Sequence, residues 1–495
     1  MLLGIDIGTS GAKAVLIRPD GLIVASGREE YPIESPHPGW AEQNPELWFL
    51  QAAKAVRAVT AGHRNDVSAI ALSGQMHGIT LIDGAGKPVR NAVIWADARS
   101  RNEPEIIAET VGPERILDIT LNRVAAGYGL ASLVWLRRHE PAALDKTRWL
   151  LCPKDYVRFR FTGNPGQEAS DASSTCLMDI RRIAWATDML HELGLPTDIL
   201  PPISASTDLS GNLTGEAAAL CGLPAGVPVY FGGADNPMAG IGAGLAREGW
   251  MGINIGTGGQ AGTVAARPVF DKEYRTSTFC HPMPGKWTIF GATLAAGLAL
   301  QWFRDAFYPG HTFGELSSLA EKARPGCGGL LFLPYLAGER TPWLDARARG
   351  VFFGLSLDHG AAELCRAVME GVVFALVQSF DLILEAGVAP ERVLSMGGGA
   401  KSSLWPQIQA DMLGRPVQIA TGGDACVGAA IVAGAGAGTY NDIGEGVREA
   451  VKLDGAWREP DPTAHAVYME MKERFEKLYL NNSDLFATAQ DDAMS

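Results

Sequence analysis

Paired cysteines are missing from this chain. Its seven cysteines are scattered and none forms a Cys-x-x-Cys pair, which excludes a cysteine-based zinc site or a disulfide framework and predicts reduced thiols. Uninterrupted apolar runs stay below the roughly 18–20 residues that a membrane-spanning helix needs. The first residues also lack the basic and then apolar pattern of a secretion signal. These absences predict a cytoplasmic protein with no membrane partner.

Positive charge is also scarce. The chain has 42 Lys and Arg against 55 Asp and Glu, which gives a formal net charge of −13. Nucleic acids select proteins with basic surfaces, so no nucleic-acid partner is expected. If such an acidic protein binds an anionic nucleotide, it must do so locally, with backbone amides, a few Lys or Arg side chains and a metal ion.

Several common motifs are absent too. There is no Walker A sequence, no Gly-x-Gly-x-x-Gly and no His-Glu-x-x-His, which disfavours P-loop and Rossmann nucleotide binding and a zinc-protease site. The composition, with 47% apolar and 20% charged residues, is that of an ordinary globular protein. A length of 495 residues exceeds what one hydrophobic core supports, so we expect two domains.

One sequence pattern is present twice. Gly4-Ile5-Asp6-Ile7-Gly8-Thr9-Ser10-Gly11 has a near copy in Gly252-Ile253-Asn254-Ile255-Gly256-Thr257-Gly258-Gly259. Each copy predicts a strand, a tight glycine turn and a returning strand. Either turn alone would be an ordinary hairpin, but two copies suggest two related domains whose turns face one polyphosphate through backbone N–H groups. The turn residues predicted to contact nucleotide are Gly8, Thr9, Lys13, Gly256, Thr257 and Gly258.

The two copies differ at one functional position, where Asp6 is replaced by Asn254. A Mg²⁺–nucleotide site needs one or two carboxylates, because Mg²⁺ keeps several waters and takes its other ligands from phosphates. We therefore expect Asp6, and not Asn254, to approach a metal. The alternative is that Asp6 only stabilises its own turn.

The remaining pattern is that of an α/β protein. Strands are predicted at residues 2–7, 12–17, 22–27 and 69–72, and Asn44-Pro45 predicts the start of a helix that ends near residue 60. Residues 96–230 are mostly helical in pattern, and further helices are predicted at 238–249, 292–306 and 361–384.

Three loops carry candidate functional residues. Asp235 follows a strand and a Gly-Gly pair, where it would either accept a hydroxyl proton during phosphoryl transfer or cap the next helix. Gln75-Met76-His77 follows another strand and offers polar groups to a small ligand, although a single histidine is as readily structural. Gly397-Gly398-Gly399 would let a purine or ribose lie against the backbone.

Taken together, these motifs resemble those of the FGGY carbohydrate kinases. The most specific matches are Gly338-Glu339-Arg340-Thr341-Pro342, the stretch at 348–355 and Met396-Gly397-Gly398-Gly399-Ala400. Ser73-Gly74-Gln75-Met76-His77-Gly78 and Pro153-Lys154-Asp155-Tyr156 also match, and the resemblance covers essentially the whole chain. One departure is Gly258, where these kinases usually have serine.

The resemblance implies two actin-like (ribonuclease H-like) ATPase domains that close over a cleft. The expected boundaries are 1–245 for the sugar and metal side and 246–460 for the nucleotide side, with a C-terminal helix and acidic tail in 461–495. It further implies ATP and Mg²⁺ as cofactors, with Asp235 as the general base and Asp6 as a second catalytic residue near the metal. The implied sugar contacts are Met76, His77, Trp95, Asp235 and Asn236. By likeness to glycerol kinase, a member of the same family, the implied nucleotide contacts are Thr257, Gly297, Gln301, Gly398 and Gly399.

The Met76-His77 pair resembles the branch of the family that phosphorylates D-xylulose to D-xylulose 5-phosphate. Other substrates of the same fold stay open, namely L-ribulose, L-xylulose, glycerol or another polyol. An actin-like ATPase without a sugar pocket is the alternative from another class. The expected partners are therefore a sugar and ATP, and a homodimer is left open.

Overall fold

Two large β-sheets form the framework of the computed structural model, which describes residues 1–420 and 422–488. The six strands of the first sheet lie in the order Leu209–Asn212, Pro228–Ala234, Ala69–Gly74, Leu2–Ile7, Gly11–Ile17 and Ile23–Glu30. The seven strands of the second lie in the order Ser277–Cys280, Trp287–Thr293, Gly259–Ala265, Trp250–Ile255, Arg392–Met396, Val417–Ala420 and Leu453–Arg458. The predicted α/β class is confirmed.

The second sheet repeats the first, with one added edge strand. Read from Leu453–Arg458, its strands show the same sequence of pairings as the first sheet, antiparallel, parallel, parallel, antiparallel and antiparallel. Ser277–Cys280 is the addition. The duplicated sequence motif thus marks a duplicated sheet.

The register of the two hairpins makes particular residues equivalent. Asp6 lies opposite Lys13 in the first, and Asn254 lies opposite Gln260 in the second. The first hairpin therefore pairs a carboxylate with an ammonium group, whereas the second pairs two side-chain amides. The two hairpins thus place different chemical groups at corresponding register positions.

Helices complete the described structure, and several of them, including Pro45–Val59 and Ala361–Glu385, pack on the two large sheets. The helices are Pro45–Val59, Glu103–Val111, Pro113–Thr120, Gly129–His139, Pro141–Asp145, Pro153–Thr162, Ala169–Ser174, Thr187–Glu192, Gly215–Cys221, Asp235–Ala243, Gly297–Phe307, Phe313–Ala320, Ala361–Glu385, Trp405–Leu413, Ala425–Gly436, Ile443–Ala450 and Pro462–Thr488. Short 3₁₀ turns form at Cys327–Gly329 and Gly398–Lys401. The acidic tail is expected after Phe486, and its residues 489–495 lie outside the described residues.

Short strand pairs complete the connections between these elements. They are Glu42–Gln43 with Ala92–Val93, Thr80–Ile82 with Trp149–Leu151, Gln167–Glu168 with Ile203–Ser204, Met178–Asp179 with Ala184–Trp185, and Leu331–Leu333 with Val351–Phe353.

Most predicted elements are present with shifted ends. Asn44 caps the first helix as predicted, since its side chain accepts a hydrogen bond from the Glu46 amide at 3.0 Å. The helix predicted at 292–306 is wrong at its start, because residues 287–293 pair as a strand and the helix begins at Gly297. The helix predicted at 238–249 spans Asp235–Ala243 and ends where Gly244 takes a φ of 100°.

The longest apolar helix, Ala361–Glu385, is long and apolar enough to cross a membrane by length and composition. In this fold it is a core helix, since Val372, Val373 and Leu376 are fully buried beside the second sheet. Its apolar character is therefore accounted for by packing within the protein.

Two helices from different halves of the sequence cross at glycines. A Cβ at Gly242 would lie 2.3 Å from the Asp424 carbonyl oxygen, and one at Gly428 would lie 2.0 Å from the Met238 carbonyl oxygen. Only glycine permits this approach. The crossing brings helix Ala425–Gly436 against strand Leu2–Ile7 of the first sheet, so a segment of the expected second domain packs on the first.

Candidate active site

A large cavity of about 1000 Å³ lies where the two halves meet. Many of its lining residues come from the ends of strands and from the glycine-rich turns that follow them. They include Asp6, Lys13, Asp235, Asn236, Gln260, Gly397, Gly398, Lys401 and Asp424. The structure thus gathers residues that are more than 400 positions apart in the chain around one space.

A smaller cavity of about 620 Å³ adjoins it. Its walls include Met76, His77, Trp95, Tyr128, Arg275, Glu339 and Arg340. Asp235, Asn236 and Gln260 line both cavities. These three residues stand at the junction of the large and the small cavity.

Asp235 is the first residue of helix Asp235–Ala243 and directly follows strand Pro228–Ala234. Withdrawal from bulk water raises the pKa of its carboxyl to about 7, the negative charge of Asp6 adds to the rise, and the Asn236 backbone amide opposes it. A carboxyl with a pKa near neutrality is suited to accept a proton from a hydroxyl. The N-cap position of this helix is occupied by Ala234, whose side chain forms no capping hydrogen bond.

Among the described residues, one side chain forms a hydrogen bond with the Asp6 carboxylate. The Ser73 hydroxyl donates to its Oδ1 at 2.8 Å. Withdrawal from water raises the pKa of Asp6 to about 6, with a further contribution from the charge of Asp424. The carboxyl groups of Asp6, Asp235 and Asp424, together with that of Asp20, line one cavity.

Lys13 is paired across the cleft with Asp424. The Asp424 side chain also accepts a hydrogen bond from the Cys426 amide and so caps helix Ala425–Gly436. The predicted phosphate-binding cation is thus present in the large cavity, but its ammonium group is engaged by a carboxylate.

Each glycine turn is closed by one internal backbone hydrogen bond, and the first turn is one residue longer than the second. The Gly8 amide donates to the Gly11 carbonyl at 3.1 Å, and the Gly256 amide donates to the Gly258 carbonyl at 2.9 Å. These two amides are therefore not available as phosphate donors, contrary to the expectation for Gly8 and Gly256. The amides of Thr257 and Gly258 have no hydrogen-bond partner among the described residues.

Thr9 is linked to the sugar-side candidates. Its hydroxyl accepts a hydrogen bond from Trp95 Nε1 at 2.9 Å and donates one to Gln75 Oε1 at 3.4 Å. Trp95 is 42% exposed and presents its ring to the small cavity. The Thr9 hydroxyl therefore orients an aromatic wall.

His77 is buried among other rings. Its imidazole stacks on Tyr128 with centroids 4.1 Å apart, and its Nδ1 lies 2.7 Å from the Ser174 carbonyl oxygen. Because a carbonyl oxygen only accepts, Nδ1 carries the proton and Nε2 is left as an acceptor. Burial lowers the pKa of His77 to about 4, so the ring is neutral at physiological pH.

The remaining predicted nucleotide residues fall into two groups. Gly398 lines the large cavity, whereas Gly399 is buried behind it, where a Cβ would lie 2.5 Å from Ile255 Cβ. Gly297 donates its amide to the Gly256 carbonyl at 2.8 Å and so fixes its helix to the second turn. Gln301 lies exposed on that helix and is not among the lining residues of the large cavity.

Comparison with known proteins identifies this arrangement. The model of the FGGY family of carbohydrate kinases, N-terminal domain, matches residues 1–242, and that of the C-terminal domain matches residues 251–437. This chain belongs to the FGGY family of carbohydrate kinases. It is therefore an ATP-dependent sugar phosphotransferase with the actin-like fold.

Full-length relatives support the same assignment. The xylulose kinase of Bacillus subtilis (strain 168) is 36% identical over 490 residues, covering 98% of this chain and 97% of the relative. The crystal structure of xylulose kinase from Rhodospirillum rubrum superposes with a TM-score of 0.91 at 31% identity, covering 98% of this chain and 99% of that one. A gluconokinase of Bacillus subtilis is 30% identical over 445 residues, 87% of this chain and 86% of the relative.

The site of this FGGY kinase contains residues that the sequence reasoning missed. Gln260 accepts a hydrogen bond from Asn236 Nδ2 at 2.5 Å across the junction of the two halves. Asp424 follows Gly422-Gly423, much as Asp235 follows a Gly-Gly pair. The repeated Gly-Gly pair could have identified Asp424 from the sequence. Gln260 can be recognised only from the structure, where it pairs in register with Asn254.

Glu339 and Arg340 belong to the family motif Gly338-Glu339-Arg340-Thr341-Pro342, to which the sequence alone assigns no role. The buried Glu339 carboxylate accepts hydrogen bonds from the Thr293 hydroxyl at 2.6 Å and from the Arg340 amide at 2.6 Å. Burial raises the pKa of Glu339 to about 7. The Arg340 guanidinium, which lines the small cavity, has no hydrogen bond or ion pair with any described residue. The sugar side therefore holds a cation that no described residue pairs with.

Proposed function

We propose that this kinase transfers the γ-phosphoryl group of ATP to the 5-hydroxyl of D-xylulose. The observation that carries the proposal is the position of Asp235 at the junction of the two cavities. A base in that position can receive a proton from a sugar in the small cavity while phosphates occupy the large one. The names of the full-length relatives favour xylulose as the sugar.

Asp235 acts as the general base in this proposal. Its raised pKa makes it a stronger base than a solvent-exposed aspartate. The hydroxyl proton passes to the carboxylate as the hydroxyl oxygen attacks the γ-phosphorus and the bond to the β-phosphate oxygen breaks. Since phosphoryl transfer depends chiefly on positioning and charge stabilisation, the walls around Asp235 supply most of the remaining catalysis.

Mg²⁺ fits the carboxyl groups of the large cavity. Ser73 donates to Oδ1 of Asp6, no hydrogen bond from a described residue engages Oδ2, and burial together with the charge of Asp424 raises the pKa of this acid. Hard oxygen donors and accumulated negative charge are what Mg²⁺ selects. Asp6 would hold the metal, and Mg²⁺ would neutralise phosphate charge when bound.

The sugar occupies the small cavity in this proposal. Nε2 of neutral His77 accepts a hydrogen bond from a sugar hydroxyl, and Trp95 covers the carbon face. Asn236 presents its amide from the junction, and Met76 adds an apolar contact. Carbohydrates combine an apolar face with hydroxyls, so this mixture suits a neutral sugar.

The nucleotide occupies the large cavity. We propose that the amides of Thr257 and Gly258 donate to phosphate oxygens, because they have no partner among the described residues. Gly398 would lie against the ribose or base. We retain residues 1–245 and 246–460 as the sugar-side and nucleotide-side domains, and we propose a cytoplasmic location.

A coupled ADP-release assay tests the proposal. The panel contains D-xylulose, L-xylulose, D-ribulose, L-ribulose, glycerol, D-gluconate and no sugar, each with Mg-ATP. We expect D-xylulose to give the highest kcat/KM above a low background. Higher kcat/KM with another member would contradict the proposed substrate, and ADP release that no sugar changes would contradict the proposed reaction.

D-Gluconate is in the panel for a structural reason. The Arg340 guanidinium, which no residue in the described part of the chain pairs with, would match a carboxylate, the group that distinguishes gluconate from a neutral sugar. A gluconokinase is also among the relatives. A sugar acid is therefore the second candidate substrate.

A further inference from the structure

One short helix connects the separate parts of the site. Helix Ala169–Ser174 has three serines, Ser170, Ser173 and Ser174, with exposures of 1%, 0% and 0%. Buried hydroxyls are costly unless they are hydrogen-bonded. Each of these serine hydroxyls forms a hydrogen bond with a different segment of the chain.

Ser170 bonds the segment that carries the proposed base. Its hydroxyl oxygen accepts a hydrogen bond from the Ala234 amide at 2.9 Å, immediately before Asp235. The same hydroxyl donates to Glu168 Oε1 at 2.6 Å. The Ser170 hydroxyl thus accepts one hydrogen bond and donates the other. Through it, the start of the Asp235 helix is linked to the buried Glu168 carboxylate.

Ser174 bonds the proposed sugar-binding imidazole. Its hydroxyl oxygen accepts from the His77 amide at 3.1 Å, and its carbonyl accepts from His77 Nδ1 at 2.7 Å. His77 has a φ of 70°, which is unfavourable for a residue with a Cβ. The two bonds to Ser174 hold this conformation and select the tautomer.

Ser173 bonds the second sheet. Its hydroxyl oxygen accepts from the Cys280 amide at 3.0 Å, on edge strand Ser277–Cys280. Asn122 pairs with the backbone of the same edge strand. Its Nδ2 donates to the Thr278 carbonyl oxygen at 2.7 Å, and its Oδ1 accepts from the Thr278 amide at 2.9 Å. The helix is thus fixed to both halves of the molecule.

A buried charge cluster holds the helix itself. Glu168 caps it by accepting hydrogen bonds from the Ser170 and Asp171 amides at 2.8 and 2.7 Å. Lys154 Nζ lies 3.0 Å from Asp171 Oδ2 and 3.6 Å from Glu168 Oε1, and all three side chains are fully buried. Removing one member of such a cluster strands a buried charge and is strongly destabilising.

We propose that helix Ala169–Ser174 is the positioning element of the active site. Ser170 positions the segment that carries Asp235, and Ser174 positions His77. The proposed base and the proposed sugar-binding imidazole are therefore held relative to each other by the same helix. This rests on the proposed function for the roles of Asp235 and His77. The serines, and not the charged residues, are the informative positions to change, because their removal leaves every charged group in place, although Ser170→Ala removes one hydrogen bond to Glu168.

The first experiment compares Ser170→Ala with Ser132→Ala. Ser132 is also a buried serine of the first half, but its hydroxyl has no hydrogen-bond partner in the described part of the chain. We expect Ser170→Ala to lower kcat about tenfold or more with little change in the KM for ATP, since small misplacements of reacting groups are costly. The acid limb of its kcat/KM profile should move to lower pH as Asp235 becomes more hydrated. A kcat within twofold of Ser132→Ala and an unmoved acid limb would overturn the proposal.

The second experiment uses Ser174→Ala, which removes the bond to the His77 amide. We expect the KM for the sugar to rise about threefold or more while kcat changes less. An unchanged sugar KM would remove Ser174 from the proposal.

Crystal structures of Ser170→Ala and Ser132→Ala separate this inference from the proposed reaction. We expect residues 234–236 to be displaced in the former only, whichever sugar the enzyme accepts. If they keep their place in both, the helix does not position Asp235, even if D-xylulose is the substrate. If they move and no sugar is phosphorylated, the positioning stands and the proposed reaction fails.

Discussion

Asp6 and Asp235 line the same cavity from separate strand ends, and the charge of Asp6 helps to raise the pKa of Asp235. The pair links the metal-binding candidate to the proposed base. A cation bound to Asp6 would offset that charge and lower the pKa of its neighbour. The site is therefore acidic enough to need a cation and holds a base that responds to it.

The first prediction concerns pH. Because the pKa of Asp235 is raised to about 7, the deprotonated base is lost as the pH falls below that value. We expect kcat/KM for the sugar, measured at saturating Mg-ATP, to decrease about tenfold per pH unit below the pKa of Asp235, which the bound cation shifts below its value in the metal-free site. A profile that stays flat down to pH 5 would contradict Asp235 as the base.

The second prediction concerns Asp235→Asn. We expect kcat to fall by about 10²–10⁴-fold, as for loss of a general base, while Mg-ADP still binds by calorimetry. Folding should become more favourable at pH 8. A raised pKa means that the folded state retains a proton that the unfolded state releases, so the wild-type aspartate costs stability as the pH rises from about 4 to 7.

The stability half of that prediction has its own control. Thermal unfolding at pH 8 should give Asp235→Asn a higher Tm than the wild type, and the gain should vanish near pH 3.5. Asp188→Asn, at an exposed position of helix Thr187–Glu192, should change the Tm little at either pH. A lower Tm for Asp235→Asn at pH 8 would contradict the sign of the pKa shift.

The third prediction concerns Lys13. We expect Lys13→Met to raise the KM for Mg-ATP about tenfold and to leave the KM for the sugar unchanged, since a cation is lost from the large cavity. Its loss of stability should be about 1 kcal/mol or less, because the ion pair with Asp424 is partly exposed. Lys54→Met, which breaks the exposed pair with Glu29, is the matched control and should not alter either KM.

The fourth prediction concerns Arg340. Since its guanidinium lines the small cavity without a partner among the described residues, we expect Arg340→Met to raise the KM for the sugar about tenfold with a smaller effect on the KM for ATP. Arg275→Met is an informative comparison, because Arg275 is already bound to Asp271 through two nitrogens. Equal effects of both substitutions on the sugar KM would contradict a special role for the free guanidinium.

The local pattern of the sequence was sufficient for much of the framework. The duplicated Gly-Thr turn, the Asn44 cap and the strand before Asp235 follow from rules that act over a few residues, namely glycine conformation, capping and β-branched runs. The predicted start of a helix at residue 292 was wrong because a non-local interaction decides the structure there. Pairing of Trp287–Thr293 with Gly259–Ala265 is non-local and overrides the helical periodicity of the sequence.

The amino-acid sequence by itself determined the repeated hairpin and the family motifs, because both are written in consecutive residues. Tertiary structure alone decided which groups meet. It set Lys13 against Asp424, Asn236 against Gln260, and Ser170 beneath the residue before Asp235. These partners are separated by many residues along the chain, and sheet register and helix crossing bring them together. No local preference encodes such distances, so the site could be proposed from the sequence but assembled only in the fold.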